Sequence, residues 1–194
     1  MDITMDEILG RVLKSIDENE EILVDKMSAG YESASVSELI RMLAPGAAEE
    51  VILAAEWGEI DEWLELDADV DWVEPGRGEV ELPEDFLRLM VFRMSDWRRA
   101  VRSTVDPGSG VYALRFTPGR HRKGVRKAPM VALTGGGKRK RLEFIGSTDP
   151  GAYVERSGYL PRPQRSEEDV LWIPRSLVCR VVDAIAEKVR SIIN

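Results

Sequence analysis

The sequence predicts an α+β chain, with helices towards its two ends and antiparallel β-hairpins between them. Three observations predict it. Apolar residues recur at helical spacing between Ile8 and Ala55, alternate strictly with acids from Leu64, and return to a helical stripe after Pro174. With 194 residues, 43% of them hydrophobic, the chain is long enough to bury a sizeable core as one structural domain. No stretch reaches the roughly 18 continuous apolar residues of a membrane span.

Thr4 and Glu7 have capping-box spacing, and Ile8, Leu9, Val12, Leu13 and Ile16 then form one helical stripe. A second short helix is expected from Glu20 to Met27, ending near Ser28-Ala29-Gly30. Ser35 and Glu38 repeat the capping spacing before Val36, Leu39, Ile40 and Leu43. Pro45-Gly46 is expected to interrupt, with a further helix from Ala47 to Trp57. Leu64, Leu66, Ala68, Val70 and Trp72 alternate with Glu65, Asp67, Asp69 and Asp71, the period of a half-buried strand. With the turn Pro75-Gly76-Arg77-Gly78, residues 64–82 read as a hairpin with one strongly acidic face. Pro83-Glu84-Asp85 opens a short turn or helix, and the apolar run Leu87 to Trp97 fits either a buried strand or a helix.

From 101 to 147 the pattern is one of antiparallel strands joined by basic turns, with Val111–Phe116, Ala128–Leu133 and Leu142–Ile145 as the strands. Residues 148–166, rich in Pro, Gly and Ser, are expected to form a surface excursion. Ile173-Pro174 marks the start of the last helix, whose wide stripe is Leu177, Val178, Val181, Val182, Ile185 and Val189. The expected parts are 1–63 helical, 64–165 β-rich with basic loops, and 166–194 the C-terminal helix.

Charge is segregated along the chain. Residues 1–87 carry 25 Asp/Glu and 5 Lys/Arg, residues 88–165 carry 5 and 18, and the last 29 carry 5 and 4. Such halves can pair internally or between copies, and a head-to-tail contact of unlike patches closes into a ring when the rotation permits. The basic block could equally face nucleic acid, where neutralising phosphates releases counterions. The acids Glu65, Asp67, Asp69 and Asp71, with Trp72, are the candidate contact with a neighbouring copy. Arg120, Arg122, Lys123, Arg126 and Lys127, with Lys138, Arg139, Lys140 and Arg141, are the candidate contact with a partner protein or DNA.

Catalytic designs find little support. The single cysteine, Cys179, excludes an internal disulfide framework and a cysteine-built zinc site, and beside Val178 it reads as a small buried hydrophobe. The single histidine, His121, lies among cations and reads as a surface residue. Gly135-Gly136-Gly137-Lys138 lacks the earlier glycine and the following Ser/Thr of a phosphate loop, so it reads as a hairpin tip. Asp67, Asp69 and Asp71 open like a calcium loop, but Trp72 and Gly78 occupy the positions that need Gly and Glu. The five tryptophans read as core and rim packing, with an interface role as the sharper alternative. The acidic start MDITMDEILG does not fit a signal peptide, so an unexported cytoplasmic product is expected, with no enzyme activity, cofactor or metal.

Several segments together resemble the head-to-tail adaptor (connector) proteins of tailed bacteriophages. They are Val36-Ser37-Glu38-Leu39-Ile40, Gly46-Ala47-Ala48-Glu49-Glu50-Val51, Leu82-Pro83-Glu84-Asp85-Phe86-Leu87-Arg88-Leu89, Ser95-Asp96-Trp97-Arg98-Arg99 and the closing helix from Pro174. The Leu-Pro-Glu-Asp-Phe-Leu-Arg run is the most distinctive. The resemblance implies that the N-terminal helices and the long C-terminal helix form a helical bundle with an inserted antiparallel β-hairpin region. It also implies a virion structural protein of the neck, made in the bacterial host cytoplasm. Copies would form a ring on the portal, usually of twelve, extend the DNA channel and join capsid to tail. The partners implied are other copies, the portal protein, tail or neck proteins and packaged DNA, with no membrane. The basic strands and Pro-rich segment between 106 and 165 depart from the family pattern. Two other readings stay open: another neck or tail-completion protein, and a duplex-DNA-binding protein of a phage or mobile element. A carboxylate-site hydrolase drawing on Asp67, Asp69, Asp71 or Glu74 is the weakest.

Overall fold

The structure, a computed structural model, describes residues 1–17, 33–67, 69–115, 128–136 and 139–193. The chain divides into two compact units, Met1–Glu62 with Arg162–Asn194, and Trp63–Pro161.

The first unit is built on three helices: α1 (Met5–Asp17), α2 (Ser33–Ala54) and α4 (Val178–Ile193). α1 starts where its capping signal lies, the Glu7 amide donating to Thr4 Oγ1 at 3.2 Å. Its stripe of Met5, Ile8, Val12 and Ile16 is fully buried, against α4 and α2. Ahead of it the short strand β1 (Asp2–Thr4) pairs antiparallel with β8 (Val170–Trp172), Ile3 opposite Leu171, a ribbon the local pattern did not announce. Asp169, just before β8, has a φ of 60° and is held by Arg41 and Arg165, while Arg41 also reaches Asp6 at 2.6 Å. The ion pairs of Arg41 with Asp169 and Asp6 therefore tie α2, the start of α1 and the β8 entry together.

Two expectations for this unit are corrected. Pro45 does not interrupt α2, which runs through it as a single helix. The buried stripe Val36, Ile40, Ala44, Ala47, Ala48, Val51 and Ile52 continues across the proline, so packing against α4 outweighs one missing backbone donor. Cys179 is exposed rather than buried, because one step from buried Val178 turns it about 100° away from the stripe Val178, Val181, Val182, Ile185 and Val189. The helix expected from Glu20 to Met27 lies outside the described residues.

Among its described residues the second unit holds six strands and a short helix. β2 (Val70–Glu74), β3 (Arg77–Glu81), β6 (Arg139–Ile145) and β5 (Met130–Gly136) form one antiparallel sheet in the order β2-β3-β6-β5, and β4 (Phe86–Met94) pairs antiparallel with β7 (Val154–Pro161). Single bridges tie the flanking segments to the sheet edges. Val101 pairs with the free edge of β4 at Phe92, and Val105 with β5 at Ala132; Leu64 pairs with the free edge of β7 at Tyr159 and leads on towards β2. Both sheets face one core, with Val80, Phe86, Phe92, Met94, Trp97, Val131, Leu142 and Phe144 at its centre. Phe144 is its hub, 5.5 Å from the Phe92 ring and 6.0 Å from that of Trp97.

This architecture overturns the helical bundle with an inserted hairpin region. Helices and strands are mixed: four α-helices and eight strands in three antiparallel sheets among the described residues. The inserted part has its own core. The expected hairpin 64–82 is shorter, with strands 70–74 and 77–81, because Leu64 bonds to Tyr159 instead. Of the strand expected over Val111–Phe116, residues 111–115 are helical instead and Phe116 lies outside the described residues: α3 (Gly110–Arg115) is capped by Ser109, whose hydroxyl accepts from the Tyr112 amide at 3.2 Å. Nor is 148–166 a surface excursion. It contains β7, which is buried from Ser157 to Pro161. Gly158 there permits a close approach, since a Cβ at that position would stand 2.3 Å from the Trp63 ring. The run Leu87–Trp97, left between strand and helix, is mostly strand β4.

Candidate assembly interface

The acidic candidates gather at the open edge of the four-stranded sheet. β2 pairs only with β3, so its outer edge carries unpaired backbone groups among the described residues. Glu65, Asp67, Asp69 and Asp71 are all exposed, the first three on the chain leading into β2 and the last on β2 itself. None of the four forms an ion pair with another described residue. Asp71 stands opposite Glu79, and Glu79 opposite Glu143, so these side chains share the outer face of the sheet. Towards β5 and β6 that face is covered: Tyr112 of α3 packs with Ala132, Ile145 and Met130. At β2 it is open, with Val73 52% exposed.

Trp72 faces the other way. It pairs across the sheet with Gly78, and Gly78 with Phe144. A Cβ on Gly78 would meet the Phe144 ring at 2.5 Å, so the glycine lets the Trp72 and Phe144 rings meet edge-to-face at 5.6 Å. Trp72 thus lies at the sheet margin, its ring edge against Phe144 of the core while 39% exposed. Of the five tryptophans only Trp97 is fully buried.

The basic candidates are split. Arg120, Arg122, Lys123, Arg126, Lys127 and Lys138, with His121, lie outside the described residues. Arg139, Lys140 and Arg141 lie on β6. Lys140 donates to the Phe86 carbonyl at 2.7 Å, and Arg141 pairs with Glu79 at 2.8 Å, so both hold the unit together; Arg141 lies on the outer face, and half-buried Lys140 on the face of Leu142 and Phe144. Arg139 is exposed and makes no ion pair with a described residue. Beside them Glu143, only 8% exposed, accepts from Arg77 at 3.1 Å and from the Tyr112 hydroxyl at 3.0 Å. Burial and this carboxylate push the Tyr112 phenol up from its ordinary value.

Arg98 and Arg99 were not singled out from the sequence as contacts. They follow a tightly held turn: Trp97 is buried against Phe92 and its carbonyl accepts from Arg93 at 3.2 Å. Asp96 Oδ2 accepts from the amides of Thr148 at 2.6 Å and Asp149 at 3.3 Å, and from Ser147 Oγ at 3.1 Å. Both arginines are exposed, and neither pairs with a described residue. The available signal was the Trp-Arg-Arg triplet after an apolar strand.

An open groove of about 390 Å³ runs between Glu65–Asp67 and β7, lined by Val154, Glu155, Arg156 and Ser157. Ser157 Oγ donates to the Leu66 carbonyl at 2.6 Å, which fixes its floor, and Arg156 stands over the Trp63 ring at 5.9 Å. Among the described residues no group of three or more His, Cys, Asp or Glu could hold a metal ion, so Asp67, Asp69 and Asp71 do not converge on one. No helix of the described residues is long and apolar enough to cross a membrane. No protein-family model matches this chain, and no curated protein matches it in sequence.

Proposed function

We propose that this chain is a non-catalytic structural protein of the tailed-phage neck, a head-to-tail adaptor whose copies form a ring on the portal. There it extends the DNA channel and joins the capsid to the tail, with no cofactor. One observation carries the self-assembly: a sheet edge left open at β2, with Asp71 on the strand and Glu65, Asp67 and Asp69 on the chain leading into it, all exposed and without an ion pair to a described residue. An edge strand of this kind is either protected or used, and acids beside an exposed valine suit a contact with a cationic surface. The link to the neck rests on the resemblance of the Leu82–Leu89 and Ser95–Arg99 runs, not on a helical bundle. Both runs do structural work here: Pro83 to Asp85 forms the turn into β4, the Phe86 amide donating to the Pro83 carbonyl at 3.0 Å.

The test is the native mass of the purified chain, alone and mixed with its portal, at low and moderate salt. A ring, formed alone or only on the portal in fixed stoichiometry, is the expected outcome. A monomer that ignores the portal but shifts duplex DNA with a steep salt dependence overturns the reading in favour of DNA binding.

A further inference from the structure

We infer that the acidic edge at β2 docks on the Arg98-Arg99 turn of a second copy of this chain, in a head-to-tail contact. The inference rests on the self-assembly reading above and adds the receiving surface.

The placement of the two patches carries it. Passing round the second unit, the order is β2, β3, β6, β5, the 101–105 segment, β4, β7 and then the chain from Leu64 back towards β2. Glu65, Asp67, Asp69 and Asp71 therefore sit on the seam between β7 and β2. Arg98 and Arg99 sit at the entry to the seam between β4 and β5. Four strands separate the seams one way round and two the other, so the patches lie on different sides of one compact body. Patches of opposite sign on different sides of a subunit cannot satisfy each other within it. They do so between copies, and a contact of this heterologous type repeats until it closes.

The chemistry of the two patches matches. The acidic side offers carboxylates and an exposed strand edge with Val73; the other side offers two guanidinium groups, which bind carboxylates in bidentate fashion. Trp97, buried, and Asp96, bonded to the 147–149 backbone and side chains, hold the arginine turn in place. Little side-chain ordering beyond the arginines themselves is then needed on binding.

Paired charge reversal tests this. The variants are Asp69→Arg with Asp71→Arg, and separately Arg98→Glu with Arg99→Glu, all at exposed sites. Each reversed protein alone places like charges across the contact and is expected to lose ring formation, with self-association weakened at least about tenfold at low salt. Mixed in equal amounts, the two are complementary at every contact and are expected to form rings again, which also shows that both are folded. Rings of unchanged mass from either reversed protein alone overturn the arginine turn as the receiving surface while leaving self-assembly intact. Loss in both proteins without recovery on mixing likewise overturns it. A wild-type chain that forms no ring, alone or on the portal, overturns the self-assembly reading itself.

Discussion

Tyr159 shows how one residue of β7 is bound to its surroundings. Only 7% exposed, it stacks on Phe86 and donates its hydroxyl to Asp85 at 3.2 Å. Burial, then the Asp85 charge and hydrogen bond, push its phenol up from 10 to about 12. Between those values the unfolded chain releases the proton while the folded chain keeps it. This contribution to stability is therefore complete below about pH 10 and is lost as pH rises through about 12. Guanidinium unfolding at a series of pH values across this range should show stability falling, and Tyr159→Phe should make the fall shallower. Equal slopes in the two proteins would refute the assignment. Tyr112, also raised, accounts for a remaining slope of the same sign.

Among the elements, α2 carries the plainest conflict between local preference and packing. Pro45 lacks the amide that would donate to the Arg41 carbonyl, yet the helix continues to Ala54 because residues on both sides of it are buried. Pro45→Ala restores that donor and removes the ring's crowding of the preceding turn. It should stabilise the protein by about 1–2 kcal/mol, the intrinsic gain being offset in part by a looser unfolded chain. The check is the thermal midpoint and amide exchange along 41–49. A lower midpoint would mean that the proline shape is itself part of the packing.

For the whole molecule, the informative feature is the continuous unit Trp63–Pro161. Its core, from Leu66 to Tyr159, draws on no described residue outside it. A fragment of residues 63–161 should therefore fold alone, with a cooperative melt and a dispersed amide spectrum. A collapsed fragment without cooperative melting would show that the core needs the rest of the chain. Folding also redistributes charge. The long acidic and basic blocks of the sequence become one unit with 21 acids and 10 cations, and one with 14 and 17. Within the second, Glu79 with Arg141 and Glu143 with Arg77 are pairs between those blocks. The open acids, the Arg98-Arg99 turn and Arg139 are among the exposed charges without an ion pair to a described residue.

By itself the sequence determined what is settled over a few residues. The capping spacing at Thr4, the stripe after Pro174, the turn at Pro75-Gly76 and the paired strands around Gly135-Gly136 each have their own local energy. The start of α3 was equally local, written in the Ser109 cap, but Val111 to Phe116 alternates well enough to resemble a strand. Partner choice was decided only in three dimensions. β4 finds β7 some 65 residues later, Leu64 bonds to Tyr159 instead of extending its own hairpin, and Gly158 serves Trp63. Of the candidate interface, the exposed acids were legible because alternation marks a wet face. The arginine turn was not, because its fixed geometry comes from Trp97 in a distant core and from Asp96 holding residues 147–149. Closing such long loops costs entropy that only a shared apolar core can offset, and that core exists only once both sheets have met.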